Sequence, residues 1–235
     1  MKEKKNTMDG KKSLIFLGDI HGDFLFLEDA CSMVEDSLIV QVGDCGLGFH
    51  SIAHEHEKLK SIDKCCKQKN NNLAILFGNH DSRKRFSFFR ENHKFDNITI
   101  LNDYEIIEYN GKTIQFVGGA ISIDRTGRKE GVSYWSDEGV QYKPELLKEV
   151  DILVTHTAPS HCFPQTFNEM VYGWASEDTY LIEELTHERK TMDEIFKICK
   201  PKYHFYGHFH SSWSEEINGC KHRLLDINEL YELKL

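Results

Sequence analysis

The chain has no apolar run long enough to cross a bilayer, so neither a spanning helix nor a membrane partner is expected. Its first twelve residues, Met1-Lys-Glu-Lys-Lys-Asn-Thr-Met-Asp-Gly-Lys-Lys12, lack the apolar centre of a signal peptide. They read as a flexible polar tail, and residues 13–235 read as a single domain. No repeat of fixed period and no low-complexity segment interrupts that domain. The seven cysteines show no paired zinc-type spacing, and their odd number argues against a disulfide framework. A reducing, cytoplasmic compartment is the expectation. Adjacent Cys65 and Cys66 read as part of a helix. Basic residues are not in surplus either. The formal charge of −9 disfavours long nucleic acid and anionic membranes as partners.

What is present is the composition of a soluble globular protein, 40% apolar and 29% charged, with many histidines, 13 in 235 residues. The apolar run Leu14–Leu17 reads as a buried strand and stops at Gly18, after which come Asp19 and His21. A carboxylate and an imidazole two positions apart past a strand end can turn toward one cation. Phe24, Leu27, Ala30, Cys31 and Val34 then follow helical spacing. The run 37–42 is a second apolar strand and stops at Gly43-Asp44. Residues 51–69 read as a long helix that begins near His50, His54 and His56. The run 73–77 is a third strand and stops at Gly78-Asn79-His80-Asp81. The strand–helix alternation predicts βαβ units with parallel neighbours, and in such sheets the ligand site lies beyond the carboxyl ends of the strands. Asp19, Asp44 and Asn79 are therefore expected to converge.

The second half differs. Residues 98–117 read as short strands around an Asn110-Gly111 hairpin turn. A strand over 151–155 ends in His156, and a strand over 202–206 ends in Gly207-His208-Phe209-His210. Between them, 157–174 reads as loop and 176–199 as helix in two pieces. The C-terminal stretch reads as antiparallel strands around Asn218-Gly219.

The strand ends thus offer Asp19, His21, Asp44, Asn79, His80, His156, His208 and His210. Imidazole and carboxylate without thiolate suit manganese, iron, cobalt or zinc better than calcium or magnesium. The count fits two divalent ions. The blocks Gly18-Asp-Ile-His-Gly-Asp23, Gly43-Asp44, Gly78-Asn-His-Asp81, Thr155-His156 and Gly207-His-Phe-His210 together resemble the ordered motifs of the calcineurin-like metallophosphoesterase superfamily. The resemblance implies an α/β fold in which two mixed β-sheets pack face to face with flanking helices, a four-layer sandwich. It also implies one metal on Asp19, His21, Asp44 and His210, and a second on Asp44, Asn79, His156 and His208, with Asp44 bridging. The implied reaction is hydrolysis of a phosphate ester by a metal-bridging hydroxide, with His80 protonating the leaving oxygen. Asp81 is placed to orient His80.

One residue of the related protein phosphatases is missing, an arginine shortly after the second block. Here the loop reads Gly43-Asp-Cys-Gly-Leu-Gly-Phe49. Their third block also ends in glutamate where this chain has Asp81, so protein phosphatase activity is in doubt. A phosphate-binding cation must come from elsewhere, and Arg83, Arg85, Arg125 and Arg128 are the candidates. The stretch from Gly118 to Trp135 that holds Arg125 and Arg128 resembles a block of bacterial and phage members. The expected activity is phosphomonoesterase on a phosphorylated small molecule, nucleotide or protein. The alternatives are a nucleotide phosphodiesterase and a non-catalytic scaffold of the same fold. Oligomeric state is not legible.

Overall fold

The computed structural model describes residues 6–7 and 10–234. Two sheets form its centre. One has five strands in the order β12 (Leu230–Leu233), β2 (Ser13–Leu17), β3 (Ser37–Gln41), β4 (Asn72–Ile75), β5 (Ile98–Ile100). The other has seven, in the order β1 (Asn6–Thr7), β6 (Ile106–Tyr109), β7 (Lys112–Val117), β8 (Ile152–Thr155), β9 (Tyr203–Tyr206), β11 (Cys220–Leu224), β10 (Trp213–Ile217). Both sheets are mixed, since β2–β5 and β7–β9 pair in parallel while β12 with β2, β6 with β7 and β10 with β11 pair antiparallel.

Three apolar layers hold the sheets. Between them, Leu14, Phe16, Leu38 and Val40 meet Ile114, Phe116, Ile152, Val154 and Phe205. The rings of Phe16 and Phe205 stack at 3.5 Å with planes 7° apart. On the outer face of the five-stranded sheet, Ile15, Leu17, Ile39 and Ile75 pack against α1 (Phe24–Met33), α2 (Ile52–Gln68) and α3 (Arg83–Asn92). On the outer face of the other sheet, Val117 and Leu153 pack against Met192, Ile195 and Cys199 of α5 (Leu181–Cys199). The order is helix, sheet, sheet, helix. Burial on both faces is why β3 has no polar alternation until Gln41.

Register sets the site. Leu17 pairs with Gln41, and Gln41 with Ile75, so the first three motif-bearing strands end level. In the second sheet Val117 pairs with Thr155, and the Gly207 amide donates to the His156 carbonyl at 3.1 Å. All five motif-bearing strands therefore deliver their last residues to one edge of the sandwich.

Some expectations change. Asn6 and Thr7 pair in parallel with β6, and the Lys12 amide donates to the Asp36 carbonyl at 2.6 Å, so these positions are not a free tail. An unpaired edge of β6 offers the backbone partners that the composition of 1–12 hides. The other residues read as tail, 1–5 and 8–9, lie outside the described residues. The region read as loop contains α4 (Glu169–Ala175), capped by Asn168, whose side chain accepts from the Val171 amide at 3.1 Å. It buries no residue, which is why no apolar periodicity announced it. The following helix is one piece, α5. Both hairpin turns form where the Asn-Gly pairs predicted, with positive φ at Asn110, Gly111, Asn218 and Gly219. Among the described residues no helix is long and apolar enough to cross a membrane.

Candidate metal centre

The polar residues at the strand ends occupy strained backbone. His21, Asp44, His208 and His210 have φ of 45°, 58°, 69° and 44°. The left-handed region costs a non-glycine residue roughly 1–3 kcal/mol where it is imposed, and such residues concentrate at functional sites. The glycines beside them make room for carboxylates. A Cβ on Gly78 would lie 2.2 Å from Asp44 Oδ1, and one on Gly207 would lie 2.2 Å from Asp19 Oδ1. The recurring strand–glycine–ligand pattern therefore has a steric cause.

Asp19, His21, Asp44, Asn79, His156, His208 and His210 come together. His210 Nε2 lies 3.4 Å from Asp19 Oδ2 and 3.0 Å from His21 Nε2. His21 Nδ1 lies 3.8 Å from Asp44 Oδ2. On the other side of Asp44, His156 Nε2 is 3.2 Å from Asp44 Oδ1 and 2.9 Å from Asn79 Oδ1. His208 Nδ1 also lies 2.9 Å from Asn79 Oδ1. Asp19 with His21 and His210, and Asp19 with Asp44 and His156, each form a group tight enough for one ion. Asp19 belongs to both groups, and Asp44 forms a further one with His21 and His80.

Comparison with known proteins identifies the family. The family model for the calcineurin-like phosphoesterases matches residues 12–212. The chain belongs to that family. Among solved structures, a phosphopantetheinyl hydrolase from Mycobacterium tuberculosis is 13% identical, with a TM-score of 0.50 over 92% of this chain and 90% of that one. A Staphylococcus aureus protein assigned as a 5′-nucleotidase is 11% identical, with a TM-score of 0.50 over 94% of this chain and 50% of that one. At these identities the likeness is one of fold. A search of curated protein sequences finds no match. The family places this chain among hydrolases of phosphate esters.

The charges of this phosphoesterase's centre call for a cation. Asp19 Oδ1 and Asp44 Oδ2 are buried and have no hydrogen-bond partner among the described residues. A buried carboxylate oxygen without a donor is costly to leave bare. Burial alone would push Asp44 up, but His156, His80 and His21 hold it well below the usual carboxylate range. Burial opposes a charge on His156 as well, yet Asp44 and Asp19 raise it to about 10. Its Nδ1 donates to the Val42 carbonyl at 3.1 Å, which leaves Nε2 as the ligand atom. Burial lowers His21 and His208, so both stay neutral and ligand-competent. The donor set fits a divalent transition metal.

Neighbours that sequence reasoning missed fix these groups. The Asn79 Nδ2 donates to Ser122 Oγ at 2.9 Å, and Ser122 donates onward to Glu138 Oε2 at 2.7 Å. This chain turns the Asn79 carbonyl oxygen toward the histidines. Glu138, pushed up to about 8 by burial, also accepts the Ser122 amide at 2.6 Å. Ser122 lies in the glycine-rich stretch that sequence reading singled out for its arginines. Nothing in the sequence marks Glu138.

Asp81 does not orient His80. Its two oxygens accept the backbone N–H groups of Cys45, Gly46, Leu47 and Gly78 at 2.7–3.2 Å. It shapes the loop after β3 and is drawn up to about 7 by burial and by Asp44. His80 is held by Arg128 instead, whose Nη1 lies 2.8 Å from His80 Nδ1. Because a guanidinium only donates, Nδ1 must accept and the proton sits on Nε2, 4.0 Å from Asp44 Oδ2. The other arginines are spent on structure. Arg83 pairs with Asp103 at 2.6 Å, donates to the Asp137 and Gly139 carbonyls and covers the Phe77 ring. Arg85 binds Glu55, and Arg125 binds Asp178 and Glu184. A sequence gives no sign of such carboxylate partners 20–59 positions away. Arg128 alone of these four lines the cavity of about 560 Å³ that opens over Asp44, Asn79, His80 and His208.

The raised His156 has a consequence for metal uptake. Metal-free protein carries that proton at neutral pH, and a ligand imidazole must lose it. Metal binding should therefore release a proton, and affinity should rise about tenfold per pH unit toward pH 10 and fall as pH drops. Calorimetric titration of metal-free protein in buffers of different ionisation enthalpy measures this. Affinity flat with pH, with no proton release, would contradict the arrangement.

Proposed function

We propose that this protein is a phosphomonoesterase working with two divalent ions of the manganese, iron, cobalt or zinc class. Asp19, His21, Asp44 and His210 would hold one ion, and Asp44, Asn79, His156 and His208 the other. The observation that carries the reading is the pair of unpartnered buried oxygens, Asp19 Oδ1 and Asp44 Oδ2, ringed by imidazoles. When bound, the ions supply activation of the attacking water and offset charge on the phosphoryl oxygens.

The chain's own residues do the rest. Asp44 would contribute its charge to both ions. Arg128 lines the cavity, and although its Nε pairs with Asp124 at 2.6 Å, its guanidinium reaches His80 outside the metal positions. A monoester dianion carries one more negative oxygen than a diester, and Arg128 is placed to meet it. While Arg128 holds His80 Nδ1, His80 is neutral and a poor acid; burial lowers it further. An arriving phosphoryl group competes for the guanidinium. His80 is then free to gain a proton and pass it from Nε2 to the leaving oxygen. The cavity is also lined by Phe163, Phe167, Trp174 and Phe209, which suits a leaving group with a flat or apolar face. Seven free cysteines accord with action in a reducing compartment.

His80→Ala should retain its metals and lose roughly 10²–10⁴ in turnover, less for p-nitrophenyl phosphate than for an alkyl phosphate, because a good leaving group needs no acid. Equal losses for both substrates would remove His80 from the acid role. Preference for bis-p-nitrophenyl phosphate over the monoester would overturn the monoesterase reading.

Arg128→Ala should raise KM and weaken inhibition by inorganic phosphate about ten- to hundredfold, the range of a hydrogen bond to a charged group. Arg83→Ala and Arg125→Ala should change stability and leave KM as it was. Steady-state kinetics on the three variants separates them, and an unchanged KM in Arg128→Ala would contradict the assignment.

A further inference from the structure

A second cluster of metal-capable side chains lies under α5 and shares no residue with the phosphoesterase centre. One nitrogen of His161, the sulfur of Cys162 and one nitrogen of His222 lie within 4.8 Å of one another. His161 and Cys162 follow β8, and His222 lies on β11, paired in register with His204 of β9. Phe196 of α5 covers them, its ring 5.3 Å from that of His222 and 5.7 Å from that of His204.

Hydrogen-bond accounting around this cluster leaves one lone pair over. The Thr155 hydroxyl donates to the Thr157 carbonyl. Its oxygen must then accept from His204 Nε2, 2.9 Å away. That places the His204 proton on Nε2 and a lone pair on Nδ1. His204 Nδ1 faces His222 Nδ1 at 3.1 Å, and burial keeps both rings neutral, with His222 lowered to about 4. Two lone pairs at that distance would repel, so in the metal-free protein His222 carries its proton on Nδ1, which faces both His204 Nδ1 and Cys162 Sγ at 3.1 Å. His222 Nε2 is left as a bare acceptor. It is buried, in a residue only 2% exposed, and among the described residues no group donates to it. The nitrogen beside the sulfur is Nδ1, so an ion held together with Cys162 would take the place of that proton, which Nε2 is free to carry. His161 Nδ1 faces Asp193 Oδ1 at 3.5 Å.

We propose that His161, Cys162 and His222 bind a structural transition-metal ion of the zinc class. Two imidazoles and a thiolate match zinc's preferred donors, and water completes a tetrahedral set. Burial pushes the Cys162 thiol up, so the metal-free sulfur keeps its proton and releases it when the ion binds. The ion would pin the loop after β8 to β11. That loop ends in Phe163 and Pro164, which line the cavity over the phosphoesterase centre. It is already held by Arg189, which donates to the Pro159, Cys162 and Pro164 carbonyls.

The donor sets make the test selective, since sulfur is present here and absent from the phosphoesterase centre. Metal-free full-length protein titrated with cobalt(II) should develop a sulfur-to-cobalt charge-transfer band and take up one ion more than the phosphoesterase centre holds. Cys162→Ser should lose the band and that one ion, and should keep the remaining metal and its hydrolysis of p-nitrophenyl phosphate. No band in the wild type, or a band that survives in Cys162→Ser, would overturn the proposal. Should Cys162→Ser fail to fold, X-ray absorption of the zinc-loaded wild type decides. A zinc–sulfur shell at about 2.3 Å is expected, and its absence rejects the site.

Discussion

Two buried carboxylates govern this structure. Asp19 and Asp44 sit fully buried at the carboxyl edge of both sheets, each with an oxygen that no protein group satisfies. The other oxygen of each accepts one backbone N–H, from His208 on Asp19 and from His80 on Asp44; imidazoles supply the nearby positive charge, and a proton on His156 stands in for a cation. Burying such charge without a counter-ion is unfavourable, and removing one partner of a buried pair typically costs 3–5 kcal/mol. The position of the strand ends, the strained backbone and the hydrogen-bonded supports around Asn79 and Asp81 all follow from holding these groups in place.

The fold can carry that burden because its apolar layers are extensive. Four ligand positions in the left-handed region together cost on the order of several kcal/mol. Each large side chain fully buried between the sheets contributes about 1.5–3 kcal/mol, and Phe16, Phe205, Phe116, Leu14, Leu38 and Ile152 are all of this kind. The stack of Phe16 on Phe205 ties β2 to β9, the strands that lead to Asp19 and to His208. Core packing and site geometry are thus joined through the same strands.

Much of this was legible in the sequence, for a physical reason. A strand buried on both faces must be continuously apolar, and its end is marked by the glycine that a neighbouring carboxylate requires, as at Gly78 and Gly207. Order along the chain then gave βαβ units with parallel neighbours, and the resemblance of the strand-end motifs to the metallophosphoesterases implied the two-sheet sandwich. The pattern was silent wherever a side chain's partner is far away in sequence. Arg83 and Arg125 looked like phosphate ligands until Asp103, Asp178 and Glu184 were in view. Asp81 stood beside His80 in the chain, yet it serves the loop after β3, and Arg128 serves His80. Glu138 had no local signature, because its role runs through Ser122 to Asn79. Helix α4 had none either, since no face of it is buried.

The central claim is that Asp44 joins two cations, and metal content measured on Asp44→Asn tests it most directly. The amide keeps the shape and can still accept the His80 backbone N–H that Asp44 Oδ1 accepts at 2.7 Å. It removes the charge. Elemental analysis beside circular dichroism should show a folded protein that has lost at least one ion and nearly all hydrolysis of p-nitrophenyl phosphate. A folded Asp44→Asn protein that retains two tightly held ions and the wild-type rate would contradict the two-ion centre.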